Sequence, residues 1–206
     1  GSYDTDFGFE QLYTEEKVSQ ISSLIDTLIW VGDTSLTGQT GLCDGFVTLA
    51  EGSYSAQTVN GNTSSATAIT VNNIVGLVDD MVAAIPVNII ANDDLYLYMG
   101  YDTYRLYALA LRNANLFHYT GAEDQGEQFS QMIPGTNVRA IAVKGLNGTN
   151  KMFLSAKSNL YAGVDLMSDY ENLEIFYSMD FQEVRVVAKW KMGVNAAFWD
   201  YVVYFS

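Results

Sequence analysis

The sequence predicts a mixed α+β fold, and three observations support this prediction. Apolar residues recur at helical spacing in the first half of the chain. After Pro134 they alternate with a period of two, as in half-buried strands. Hydrophobic residues make up 49% of the 206 residues and charged residues only 17%, so the chain can bury a large core. A disordered, collagen-like or coiled-coil chain is therefore excluded.

The helices are predicted from apolar stripes and from signals at their ends. A first helix covers about 14–29, where apolar residues return every three or four positions. A second begins at Asn72 or Asn73, either of which can cap it, and cannot continue past Pro86. A third covers about 102–112 and opens on an aspartate that can cap it.

The strands are predicted from alternation and from short apolar runs bounded by turn residues. They are residues 87–90, 95–99, 138–143, 152–155, 183–192 and 198–205. The third and fourth form a hairpin across the glycines near 145–150, and the last two form an antiparallel pair around Gly193. Residues 53–70 are rich in Ser, Thr, Asn and Gly, which predicts a long polar loop.

The charge of the chain disfavours direct binding to nucleic acid. The formal net charge is −14, from 24 acids against 10 bases, and it repels phosphate backbones at neutral pH. Lys17 is the single base among residues 1–100, so nine of the ten bases lie in the second half. Any function that needs positive charge is therefore expected in the second half.

The sequence offers little for catalysis or for metal binding. A single cysteine, Cys43, cannot form an internal disulfide, and a single histidine, His118, cannot build a multi-histidine metal site. The acidic pairs at 79–80 and 93–94 could serve acid/base chemistry or a divalent cation, but a solvent-facing helix side and a turn explain them better. No catalytic residue, cofactor site or metal ligand is predicted.

The ends and the apolar runs of the chain carry two further expectations. The longest apolar runs fall far short of the ~20 residues needed to cross a bilayer, so no membrane span is predicted. The chain opens on Gly1-Ser2-Tyr3 with neither a methionine nor a basic leader, which suggests an N-terminal truncation.

A sequence of short motifs in the second half resembles a known family. The motifs are Ile133–Thr136, Gly145–Thr149, Ser158–Asp165, Phe181–Gly193 and Ala196–Phe205. In this order they resemble the C-terminal part of tailed-phage major capsid proteins with the HK97 fold, especially those of phages and prophages of gut Bacteroidetes. The resemblance covers roughly residues 26–206 and lies in hydrophobicity and turn residues, with no catalytic signature.

The resemblance implies a layout of domains. Residues 1–50 would supply the long helix and an irregular segment of the peripheral domain. Residues 51–165 would form the axial α/β domain, and residues 166–206 would return to the antiparallel strands of the peripheral domain. A complete subunit of that family would carry an N-terminal arm and an extended loop before the long helix. Residues 1–13 are too short for both, so the resemblance also implies truncation at the N-terminus.

The resemblance also implies a structural role in the virion and a set of partners. The chain would assemble with copies of itself into pentamers and hexamers of an icosahedral shell, after synthesis in the cytoplasm of a bacterial host. Portal, scaffold and maturation protease would be further partners, packaged DNA would be touched only non-specifically, and no membrane would be involved. Arg185, Lys189 and Lys191, on the face of a predicted strand opposite its apolar residues, would pair with acids of a neighbouring subunit.

Three alternatives remain open at this point. The 14 tyrosines suit a surface or carbohydrate-binding module, in which aromatic side chains would line an exposed groove. An encapsulin-type nanocompartment shell would share the resembled fold and differ in its cargo. An enzyme is the least favoured class, because it would have to use carboxylates, tyrosines or lysines alone.

Overall fold

The computed structural model describes residues 6–114, 129–164, 173–178, 183–188 and 191–206. The helices in these ranges are α1 (Asp6–Val31), α2 (Phe46–Glu51), α3 (Ile74–Ala83) and α4 (Tyr101–Asn113). The strands are β1 (Val59–Asn60), β2 (Leu95–Gly100), β3 (Ser130–Met132), β4 (Arg139–Val143), β5 (Met152–Ala156), β6 (Leu160–Val164), β7 (Leu173–Ser178), β8 (Glu183–Ala188), β9 (Met192–Ala196) and β10 (Val203–Phe205). The predicted α+β class is confirmed.

Six of the strands form one mixed sheet in the order β1-β10-β5-β2-β4-β3. Within this sheet β1 runs parallel to β10 and β2 runs parallel to β4, whereas the other neighbours are antiparallel. β10, the last strand of the described chain, therefore pairs with β1, its first strand.

The remaining strands form two antiparallel pairs, one nested inside the other along the chain. β6 pairs with β9, from Leu160 opposite Ala196 to Val164 opposite Met192. β7 and β8, which lie between them in sequence, pair with each other. We call residues 160–196 the ribbon segment.

Hydrophobic cores lie against both faces of the six-stranded sheet. On one face, α3 and α4 cover the buried residues Leu97, Met99 and Leu154. On the other face, Trp30 near the end of α1, Phe46 at the start of α2 and residues of β9 surround Phe153. All five residues of β5 are buried, because this strand has a core on each side.

The helix predictions agree with the structure in position, with differences at the ends. α3 matches the predicted position, and Asn73 occupies its N-cap position. Its Oδ1 accepts from the preceding Thr70 amide at 2.7 Å, so the side chain does not cap the helix amides as predicted. α1 begins earlier than predicted, at Asp6. α4 is capped by Gly100, and Asp102 lies inside its first turn.

The predicted hairpin of residues 138–143 with 152–155 is wrong. β4 and β5 both form, but β2 lies between them, parallel to β4 and antiparallel to β5. A short 3₁₀ helix, Lys144–Leu146, begins the connection that carries the chain past the end of β2. Sequence alternation identified the strands, whereas a partner from earlier in the chain determined their pairing.

The predicted closing pair and the predicted strand at 87–90 are also wrong. β8 ends at Ala188 and pairs with β7, while Gly193, the predicted turn, lies inside β9 opposite Gly163. Residues 87–90 form consecutive turns after α3, in which the Ile89 amide donates to the Pro86 carbonyl at 3.0 Å.

Candidate assembly surfaces

An aromatic cluster fixes the end of α1 against the sheet. The Phe153 ring lies with its centroid 5.7 Å from that of Trp30, 5.7 Å from Phe46 and 6.5 Å from Trp199. Trp30 also contacts Tyr98, with centroids 4.9 Å apart. Tilted and edge-on ring contacts of this kind add to the energy of burial. The long helix is therefore held by residues from several separate segments of the chain.

A backbone contact holds α1 at the 3₁₀ helix after β4. The Gly145 amide donates to Asp26 Oδ2 at 2.6 Å. A methyl group at Gly145 would overlap the Asp26 carbonyl oxygen and would lie 2.7 Å from Trp30 Cδ1. Only glycine allows the two backbones to approach this closely. The orientation of the long helix depends on this position.

Glu51 joins the end of α2 to β10 and to the residue before β5. Its Oε1 accepts hydrogen bonds from Lys151 Nζ at 2.5 Å and from the Tyr204 hydroxyl at 2.7 Å. Burial raises the pKa of Tyr204, and the nearby Glu51 carboxylate raises it further. The arrangement keeps the phenol neutral as a hydrogen-bond donor and is explained by a structural role.

Buried phenols predict a loss of stability at alkaline pH. Burial, with smaller contributions from Tyr96 and Asp94, raises the pKa of Tyr98 to about 12 from its usual 10.0. Between pH 10 and 12 the unfolded chain binds fewer protons than the folded chain, so the free energy of unfolding falls as pH rises. Over this pH range we expect the free energy of unfolding of Tyr98→Phe to decrease by on the order of 2 kcal/mol less than that of the wild type.

Urea unfolding at pH 8, 10, 11 and 12 measures this effect. The matched control is Tyr161→Phe, because the Tyr161 side chain is 58% exposed. An identical pH slope in the Tyr98→Phe variant and the wild type would contradict the prediction.

The three basic residues predicted at a subunit contact lie in the ribbon segment. The structure describes two of them, Arg185 and Lys191. Arg185 lies in β8, at the register position opposite Phe176. Lys191 is exposed directly before β9. Lys189 lies outside the described residues. Their pairing with a neighbouring subunit stays a prediction.

The other chemically interesting residues do not converge on a site in the described part of the chain. Asp94 accepts a hydrogen bond from the Ser158 amide at 3.0 Å, as a turn residue does. Cys43 is buried, and that burial raises the pKa of its thiol. His118 lies outside the described residues. No group of three or more His, Cys, Asp or Glu in the described ranges is placed to hold a metal ion.

Two exposed surfaces combine apolar side chains with charged residues. The first, which we call the basic face, is formed by Arg105, Leu109 and Arg112 of α4 with Phe129. It borders a groove of about 540 Å³. The second, the acidic turn, follows α3 and contains Val87, Ile90, Asp93 and Asp94. Sequence reasoning missed both, although the spacing of Arg105, Leu109 and Arg112 is that of one helix face.

None of the helices among the described residues combines the length and the apolar character that a membrane crossing requires. This finding concerns the described helices alone.

Comparison with known proteins identifies the fold. A solved structure described as "Satellite phage P4 procapsid including size determination (Sid) protein" is similar, with a TM-score of 0.58 and 11% identity over 96% of this chain and 67% of that one. A structure from Mycobacterium phage Che8 has a TM-score of 0.50 and 11% identity over 73% of this chain and 53% of that one.

The chain thus spans about half the length of one of these chains and about two thirds of the other. No protein-family model and no curated protein sequence matches it. At 11% identity the likeness concerns the fold alone. The chain has a phage capsid-like fold.

Proposed function

We propose that this chain is a structural virion protein, a major capsid subunit of the HK97 type that assembles into the shell of a tailed phage or prophage. The observation that carries the proposal is the structural likeness to a satellite phage procapsid over 96% of the chain. The motif order described for the second half of the sequence supports the HK97 type and the Bacteroidetes origin.

The two cores support the proposed domain layout. The core around Phe153 draws mainly on residues 30–50 and 194–204, which the layout assigns to the peripheral domain, whereas Phe153 itself and Leu146 belong to the range assigned to the axial domain. The opposite core draws mainly on residues 69–156, which the layout assigns to the axial domain. β10 contributes Val203 and Phe205 to the axial core and Tyr204 to the other, so this strand joins the two.

The surface of the described residues fits a shell more closely than a carbohydrate-binding module. Tyr104, Tyr107 and Tyr204 are buried, so these tyrosines serve the cores. Of the large aromatic side chains that are exposed in the described ranges, Phe129 stands apart in the chain from Tyr161 and Phe198, which lie on neighbouring, hydrogen-bonded segments. By the same proposal, portal, scaffold and maturation protease are further partners, and the net charge of −14 limits contact with packaged DNA.

Electron microscopy and sedimentation test the proposed function directly. We expect the chain extended to the full-length subunit to form rings of five or six copies, or closed shells. The 206-residue chain is the control, and it shows how much assembly its own surfaces support. Monodisperse monomers from both chains at high concentration would overturn the proposal.

We further propose that Arg185, Lys189 and Lys191 pair with acids of a neighbouring copy. Reversing one charge at such a contact replaces an attraction by a repulsion, so Lys189→Glu is expected to reduce the assembled fraction at least fivefold at low salt. Sedimentation velocity measures this fraction. Lys144→Glu is the matched control, because Lys144 is exposed and lies outside the ribbon segment, the basic face and the acidic turn. Equal assembly of the two variants would contradict the pairing.

A further inference from the structure

The basic face of α4 carries two cations beside apolar side chains. Leu109 is 39% exposed and Phe129 is 46% exposed. Arg105 and Arg112 are exposed, and neither has an ion-pair partner among the described residues. The groove of about 540 Å³ beside them is lined mainly by α4, including Asp102 in its first turn, with Phe129 at its border. This face is open both to apolar contact and to carboxylates.

The acidic turn has the complementary composition. Val87 is 84% exposed and Ile90 is 48% exposed. Asp93 and Asp94 follow within the next four residues, and residues 71–100 contain no basic residue. Asp94 keeps its negative charge, since its hydrogen bonds with Ser158 lower the pKa of its carboxyl group. Two arginines and two apolar side chains therefore stand on the basic face, and two aspartates and two apolar side chains stand on the acidic turn. Lys157 lies beside the acidic turn, where its amide donates to the Asp94 carbonyl at 2.9 Å.

The polypeptide holds the acidic turn in place, so that it can act as a rigid contact. Asn137 Nδ2 donates to the Ile90 carbonyl at 2.8 Å and to the Asn92 carbonyl at 2.7 Å. Ile89 is buried beneath the turn and anchors it to the core between the sheet and α3. Because the turn is fixed, a partner would not have to pay the cost of ordering it.

We propose that the basic face of one copy docks on the acidic turn of a second copy of this chain. Two different patches then meet head to tail, and a head-to-tail contact closes into a ring when its rotation divides a full turn. The charge complementarity selects a second copy as the occupant, because this chain itself carries both halves of the contact. The inference rests on the proposed function and specifies which surfaces hold the copies of one ring together.

Disulfide capture between separately tagged copies tests the inference. Leu109→Cys and Val87→Cys are made in different chains, with tags of different mass, and mixed under mild oxidation. We expect mainly the mixed dimer, and only small amounts of either like-with-like dimer. Cys43 is buried, and the wild-type chain, in which it is the single cysteine, shows how much disulfide dimer forms through it. A chain that carries both changes is expected to give a ladder beyond dimers, as a head-to-tail contact requires.

Charge variants make the test independent of cysteine geometry. Arg112→Glu in the Leu109→Cys chain is expected to lower the yield of mixed dimer at least fivefold, and Asp93→Lys in the Val87→Cys chain is expected to restore it. If the wild type assembles but the two cysteine variants give no mixed dimer, this contact is overturned and the proposed function still stands. Wild-type monomers at every concentration, from the full-length subunit as well as from the 206-residue chain, would overturn the proposed function as well.

Discussion

Phe153→Ala is expected to cost about 3–5 kcal/mol of the free energy of unfolding. The Phe153 side chain is 0% exposed and lies within ring contact of Trp30, Phe46, Trp199 and Tyr204. Its removal leaves a cavity between α1 and the sheet, which rigid aromatic neighbours cannot fill. The measurement is urea unfolding followed by tryptophan fluorescence, since two of the neighbours are tryptophans.

The controls separate loss of volume from loss of a ring. Phe153→Leu keeps part of the volume and should cost distinctly less, and it provides a folded variant if the alanine variant does not fold. Phe198→Ala removes a side chain that is 61% exposed, so it should change the free energy of unfolding by only about 0.5 kcal/mol. Equal effects at Phe153 and Phe198 would show that the aromatic cluster does not hold α1.

Gly145→Ala is expected to cost about 1–3 kcal/mol, although it adds only one methyl group. The methyl group would be forced against the Asp26 carbonyl oxygen and the Trp30 ring, so α1 would have to move away from the sheet. The hydrogen bond between the Gly145 amide and Asp26 would lengthen in consequence. Urea unfolding gives the loss of stability, and near-ultraviolet circular dichroism reports the changed environment of Trp30.

Gly76→Ala is the matched control for this substitution. Gly76 lies inside α3, and a methyl group there meets no atom within 4 Å. Alanine has the higher helix propensity, so this variant should gain about 0.5–1 kcal/mol. Effects of the same sign at the two glycines would contradict the close packing of α1 at Gly145.

Local sequence patterns predicted the elements well and their pairing poorly. The apolar stripe of α3 and the alternation in β8 depend on residues close together in the chain. α3 formed where predicted, whereas β8 covers only Glu183–Ala188 of the strand predicted over 183–192. The pairing of β2 between β4 and β5 depends on residues about 50 positions apart, so no local pattern indicates it. Gly193 illustrates the same limit, because a glycine inside a strand resembles a glycine in a turn until its partner is known.

The candidate surfaces were predictable only in part, for a related reason. Charge on one face of a predicted strand indicated Arg185 in the ribbon segment. The same criterion, applied to helix faces, indicates Arg105 and Arg112, which lie seven residues apart on α4. The acidic turn escaped because Val87 and Ile90 were assigned to a strand, where alternate side chains would be buried.

The position of β10 within the sheet has a consequence for how the chain folds during its synthesis. β10 pairs with β1 on one side and β5 on the other, yet it is the last of these strands to leave the ribosome. At typical elongation rates, roughly 2–10 s separate the synthesis of β5 from that of β10. During this interval the apolar edge of β5 has no partner strand. The nascent chain therefore cannot complete the sheet, or offer finished contact surfaces to other copies, until residues 203–205 have been added.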